Sequence, residues 1–339
     1  MGKYEAGENK THMVSRKIRN YIDIFWPIER HELPKFLLMT ALMFCILFNQ
    51  NIIRALKDSI IITNIGVETI NFLKFWGVMP CSFLMAAIYV FLINRFNGNI
   101  VFYLIISVFL LFYAVFAFFI YPNHELLHLD SATINNMVVS YPNLKWFVLI
   151  FGNWGFSLFY IIAELWPTTV FSLLFWQYAN QVTSIEESRR FYTLFGLFGQ
   201  TGLYISGVFL SMLPVFSMDI INYFNLNISK SVISVQLTLA VVLFLGISCL
   251  IIFYFLNNKI VNTTTKFEKK EKKLSIKNSF MLIFSNRYIR LIAILLFCYG
   301  VAINLVEGPW KSMAQKAYPQ IEDYAAFVGG YLKYTGILT

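Results

Sequence analysis

Long apolar runs alternate along the chain with short polar stretches. Runs of about 20 apolar residues cross a hydrocarbon core as helices, whereas barrel strands would be about 10 residues long and alternating. The pattern predicts an all-α, polytopic membrane fold with spans over 36–58, 69–94, 100–121, 145–177, 191–216, 232–256, 287–306 and 324–339. Residues 1–35 are polar and basic, and the run that follows is too long for the apolar core of a cleavable signal. Within them Tyr21–Trp26, closed by Pro27, reads as a short interfacial helix. Asn257–Ser279 (NNKIVNTTTKFEKKEKKLSIKNS) falls after the sixth span and reads as a linker. The expected division is an N-terminal segment 1–35, a first six-span half 36–256, a basic linker 257–286 and the start of a second half over 287–339.

Composition agrees with this pattern. Of the 339 residues, 58% are hydrophobic and 13% charged, against about a quarter charged in a soluble domain. The four cysteines, at 45, 81, 249 and 298, sit in apolar runs without metal-ligand spacing. His124 and His128 are four apart in a polar segment, but no third ligand accompanies them, so no metal is expected. No GxxxxGK[ST], HExxH or GxSxG pattern is present, which disfavours an ATP-driven pump or a hydrolase. Neither a cofactor nor a nucleic-acid partner is expected; the partners are membrane lipid and a small solute.

Charge placement orients the chain. With the N-terminus inside, the inner segments carry 19 of the 27 Lys and Arg and the outer segments 6, so the positive-inside rule predicts a cytoplasmic N-terminus.

A repeat is legible at a shift of 253 residues. Leu42, Phe44, Cys45, Asn51 and Ser59 fall on Leu295, Phe297, Cys298, Asn304 and Ser312, and Gly77 falls on Gly330. The first span then resembles the seventh in the same orientation, which is the parallel repeat of the major-facilitator plan. Only 86 residues lie beyond that shift. A complete second half would bring the chain to roughly 510 residues, so the sequence reads as truncated inside its eighth span.

Three sets of charges interrupt the apolar runs. Glu164 lies in the middle of GNWGFSLFYIIAELWPTTVFSLLFW (152–176), three residues before Pro167. A carboxylate there costs a few kcal/mol or more, and Pro167 frees the Ala163 carbonyl beside it. Arg54, Lys57 and Asp58 close the first span, with Asp58 four residues from Arg54 and able to pair with it. Glu307 and Lys311 flank Gly308–Pro309 at the end of the seventh. Interrupted helices in corresponding places point to a transporter site. The plainer alternatives are a surface ion pair for Glu307 and Lys311, a snorkelling Lys57 and a structural partner for Glu164. Trp76, Trp166 and Trp310 are candidates for stacking on a base, against the ordinary role of Trp in interfacial belts.

WPIE (26–29), MFCILFNQNIIRALKDS (43–59), AELW (163–166), LLFWQYANQ (173–181), RRFYTLFG (189–196) and NLVEGPWKS (304–312) resemble the ATP/ADP translocases of the rickettsial and chlamydial type, found also in plastids. The resemblance runs from about Phe25 to the end. It implies nucleotide exchange by alternating access, twelve spans and a multi-pass protein of the bacterial inner membrane, working as a monomer. It also implies functional charges: a Lys in the first span, matched by Lys57; a Glu in the fourth, matched by Glu164; and a Glu after the seventh, matched by Glu307. A further Lys in the tenth span has no counterpart here, and Pro309 departs from the small or aliphatic residue expected before Trp310. A non-transporting remnant, a carrier of nucleotides for biosynthesis and a facilitator for another anion are the alternatives.

Overall fold

Leu33–Asn64 (α1) lies at the centre of a helical bundle, and most of its apolar side chains are buried, from Phe36 and Met39 to Ile60 and Ile62. The computed structural model describes residues 27–260 and 285–338. The expected helix Tyr21–Trp26 and most of the 257–286 linker lie outside the described residues. The other long helices are Thr69–Arg95 (α2), Gly98–Ile120 (α3), Trp154–Val182 (α4), Ile185–Ser211 (α5), Lys230–Asn258 (α6), Arg287–Ala317 (α7) and Ile321–Leu338 (α8). No strand is present among the described residues. The first seven long helices are apolar and long enough to cross a membrane. The shorter α8, expected as an eighth span, carries Glu322, Asp323 and Lys333 and does not reach that threshold.

Local sequence explains where these helices begin. Pro34 occupies the first turn of α1, where its missing N–H costs nothing. At α5 the Ser184 hydroxyl accepts from the Glu187 N–H (3.2 Å) and the Glu187 carboxylate from the Ser184 N–H (2.7 Å), a reciprocal capping box. Ser229 caps α6, and Asn286 caps α7 by accepting from Tyr288 and Ile289.

Several boundaries differ from expectation. α1 continues six residues past 58, and α7 runs through Pro309 to Ala317. Arg54, Lys57, Asp58, Glu307 and Lys311 therefore lie inside helices, and the expected interruption at Gly308–Pro309 is absent. Hydropathy alone ends a span at its charges. The helices go on because these charges pair with one another. The fourth span begins only at Trp154: Asn153 separates it from a shorter helix, Lys145–Gly152. The helix Leu213–Phe224 fills much of the loop expected after the fifth span.

Pro167 does not break α4 but opens it into a wide turn over Pro167–Phe175. The Thr168 hydroxyl donates to the Leu165 carbonyl (3.0 Å) and the Ser172 hydroxyl to the Pro167 carbonyl (3.2 Å), so backbone oxygens around the turn find side-chain partners. A second wide turn, Leu73–Val78, interrupts α2 around Lys74. Such turns cluster at functional sites.

Packing around α1 is specific. The Asn49 amide donates to the Val242 carbonyl of α6 (3.0 Å), and the Trp166 indole N–H of α4 to the Ile46 carbonyl (3.3 Å). Phe36 meets Phe191 and Phe195 of α5. At the start of α1, Lys35 pairs with Glu187 (2.8 Å) and Glu32 with Arg190 (2.6 Å), which fastens α1 to α5. α5 and α8 touch backbone to backbone. A Cβ on Gly207 would stand 2.5 Å from the Lys333 nitrogen, and one on Gly329 would stand 2.6 Å from the Ser211 nitrogen. Small residues at such crossings let membrane helices approach closely. On the outside of the bundle Phe83, Leu84 and Phe91 of α2 and Val108 and Leu111 of α3 are exposed, a surface suited to lipid.

Candidate functional site

α1 and α7 are each other's repeat. Shifted by 253 residues, Leu33–Asn64 becomes 286–317, and α7 spans Arg287–Ala317. They meet along one face near their C-terminal ends, and each contact joins a residue to its own equivalent under the shift. Arg54 faces Glu307 (3.6 Å), Asp58 pairs with Lys311 (2.8 Å), and the Gln315 side-chain amide donates to the Ile62 carbonyl. On each helix these positions are four apart, one turn per step. The repeat has kept the positions and inverted the charges, so two parallel helices meet in register with opposite signs opposed.

The remaining charges attach to this seam. Lys57 Nζ lies 2.7 Å from Asp58 Oδ1, 2.8 Å from Glu164 Oε1 of α4, and 4.2 Å from the centre of the Tyr160 ring. Lys311 Nζ reaches Glu307 as well as Asp58, at 2.9 Å. From the wide turn of α2, Lys74 donates to the Asn304 side chain (2.8 Å) and lies 3.5 Å from Glu307. The result is a chain of alternating charge, Glu164–Lys57–Asp58–Lys311–Glu307, with Arg54 and Lys74 joined to Glu307 at its end. It ties α1, α2, α4 and α7 together near one end of the bundle. Asp58 and Lys311 each lie six residues from the end of their helix, about 9 Å at 1.5 Å per residue.

Lys57, Asp58 and Lys311 are buried, Glu164 and Glu307 are half-buried, and the Arg54 side chain is 63% exposed. Taking an ion out of water costs several kcal/mol, which close oppositely charged partners repay only in good geometry. Each buried group here has two. The network holds four cations and three carboxylates, leaving one positive charge in excess. A phosphate oxygen accepts from an ammonium group as a carboxylate does, so an entering phosphate could take the place of a carboxylate on either buried lysine.

Of the residues singled out from sequence, Lys57, Glu164, Glu307, Arg54 and Lys311 all converge here. The expected Arg54–Asp58 pair does not form: Asp58 turns to the two lysines, and Arg54 faces Glu307. Lys311 is too buried for a surface ion pair. Trp166 is fully buried, edge-on to Phe109 with its indole N–H committed to Ile46, so it has no face open to a base. Trp310 is partly open beside Phe327 and Tyr331 of α8. His124 and His128 are occupied with the Tyr121 carbonyl (2.7 Å) and the Gly155 N–H (3.2 Å).

Asp58 enters the sequence reading only as a partner for Arg54, and Lys74 and Tyr160 do not enter it. The sequence carries a signal for the first two: Asp58 falls on an opposite charge under the repeat, and Lys74 is a cation inside an apolar span, where a charge marks function by default. Nothing in the sequence places Tyr160 under Lys57, because that contact joins α1 to α4.

No solved structure matches the chain. Among curated proteins, an ADP,ATP carrier protein 4 of Rickettsia bellii is 55% identical over 98% of this chain and 65% of its own length. Its counterpart in Rickettsia prowazekii is 54% identical over 98% of this chain and 66% of its own. An ADP,ATP carrier protein 3 of Rickettsia bellii is 39% identical over 93% of this chain and 65% of its own. The chain thus spans about two thirds of the length of these relatives. The family model described as TLC ATP/ADP transporter matches residues 11–339, and on that match the chain belongs to the TLC ATP/ADP transporter family.

Proposed function

We propose that this chain is part of a carrier that exchanges ATP and ADP across a bacterial inner membrane by alternating access, with Lys57, Lys311, Arg54, Glu164 and Glu307 forming the phosphate end of its site. The observation that carries the reading is the ion-pair network, with its cation excess and its two buried lysines. A nucleotide di- or triphosphate needs several positive charges to leave water. Carboxylates that hold those cations in the empty state spare the carrier unpaired buried lysines. The names of the Rickettsia relatives support the choice of ATP and ADP. Trp310, partly open beside Tyr331, and Trp76, exposed in the wide turn of α2, are the remaining candidates for contact with the base. The charge bias supports an N-terminus in the cytoplasm, with the network nearer the outer face. The division at 36–256 and 257–286 follows the repeat.

The test is exchange by the complete gene product in liposomes. Vesicles loaded with ADP should take up labelled ATP, and vesicles without internal nucleotide should not. Equal uptake into empty vesicles would replace exchange with uniport, and no uptake in either would overturn the reading.

A further inference from the structure

We infer that Asp58 is the positioning residue of this site: an internal stand-in for phosphate that holds Lys57 and Lys311 together in the empty carrier and must yield both when a polyphosphate enters. The inference rests on the proposed nucleotide function and adds to it the residue that couples binding to movement. Its two oxygens are divided between the lysines, Oδ1 to Lys57 at 2.7 Å and Oδ2 to Lys311 at 2.8 Å. A phosphoryl group bridging two ammonium groups would use the same two contacts. A nucleotide bearing three or four negative charges brings phosphate oxygens that compete with Asp58 for these same two ammonium groups.

Asp58 has somewhere to go. Arg54 lies one helical turn before it on the same face of α1, exposed and held by Glu307 at a loose 3.6 Å. Residues four apart on a helix are within pairing distance. Asp58 thus has two alternative partnerships: with Lys57 and Lys311 when the site is empty, and with Arg54 when phosphate occupies it.

Withdrawal of Asp58 would also loosen the seam. α7 meets α1 through Arg54–Glu307, Asp58–Lys311 and Ile62–Gln315, whereas its earlier turns, including Leu295, Leu296 and Phe297, are exposed. Asp58–Lys311 is the buried contact of the three. Once phosphate replaces Asp58 on Lys311, the seam between α1 and α7 loses its buried contact.

The experiment uses the complete gene product with Cys45, Cys81, Cys249 and Cys298 replaced, and ATP as the probe. Ile62→Cys and Gln315→Cys should cross-link readily without nucleotide, and the yield should fall several-fold at saturating ATP. Asp58→Asn removes the competitor for both lysines, so it should bind ATP roughly tenfold more tightly, by abolishing the cost of a partly blocked site, while exchange slows. Asp58→Glu should restore exchange. A merely structural aspartate would weaken binding when lost. A Kd for Asp58→Asn equal to or above wild type in folded protein overturns the inference, as does a cross-link indifferent to ATP in a carrier that still exchanges. If the unsubstituted carrier neither binds nor exchanges ATP, the proposed function fails and the inference with it. The cross-link in the chain with Asp58 intact keeps the test open even if Asp58→Asn does not fold.

Discussion

Replacing Lys57 with Gln separates a structural ion pair from a substrate contact. The Lys57 ammonium is 3% exposed as part of its residue, shared between Asp58 and Glu164, and stands over Tyr160. Removing one partner of a buried pair generally costs about 3–5 kcal/mol, because a charge is left uncompensated. Here the loss is smaller: Asp58 keeps Lys311, and Glu164, with 24% of its side chain exposed, regains water or a proton. The fold therefore survives with a loss of about 1–3 kcal/mol. A charge-assisted hydrogen bond to phosphate is worth about 1.5–3 kcal/mol, so the KM for nucleotide should rise about tenfold to a hundredfold. The assay is labelled ATP uptake normalised to membrane protein level, with Lys57→Gln, Glu164→Gln and the double variant measured side by side. Removing both partners should recover stability without recovering uptake. If the double variant transports at the wild-type rate, the pair only joins α1 to α4, and the lysine has no part in holding phosphate.

The other expectations are briefer. In a chain whose own cysteines have been replaced, a Cys at Asn123 should react with an impermeant reagent in intact cells and one at Lys270 should not; the opposite pattern reverses the orientation. Gly207→Val should push α5 from α8, because its Cβ meets the Lys333 nitrogen at 2.5 Å, and lower thermal stability by about 1–3 kcal/mol. Gly196→Ala, with nothing within 4 Å of the added carbon, is the control and should be neutral or stabilising. Trp166→Ala should reduce folded protein through a core cavity worth about 3–5 kcal/mol, and a Trp166→Phe carrier that folds yet loses ATP affinity would return that ring to the site. Burial, and then the neighbouring His124, lower the His128 pKa to about 4, so the folded state holds its proton more weakly than the unfolded state. The contribution of neutral His128 is intact above about pH 6.5 and is lost as pH falls towards 4. Protection of the Gly155 amide, which donates to His128 Nε2, should fall over that range after correction for intrinsic exchange, and a flat profile would contradict the assignment.

The sequence by itself determined the membrane class, the first seven spans and the charges that the bundle had to accommodate. A run of apolar side chains has one low-energy environment whatever its neighbours, and a charge within it is costly wherever the bundle puts it. Lys57, Glu164, Glu307 and Lys311 were legible on that ground, and the repeat was legible because Asn51, Cys45 and Ser59 find their like 253 residues on. Partnerships were not legible. Asp58 is four residues from Arg54, which is sufficient on an isolated helix, but α7 brings Lys311 to the same face, and a buried ammonium group outcompetes an exposed guanidinium that water already solvates. Hydropathy ended α1 and α7 at their charges because it treats each charge as unpaired, while the folded chain neutralises them across the seam and both helices run on. Trp166 is as suited to stacking in the sequence as Trp310. Only the packing of α4 against α1 and α3 decided that its ring fills the core, because the direction in which a side chain faces depends on helices far away along the chain.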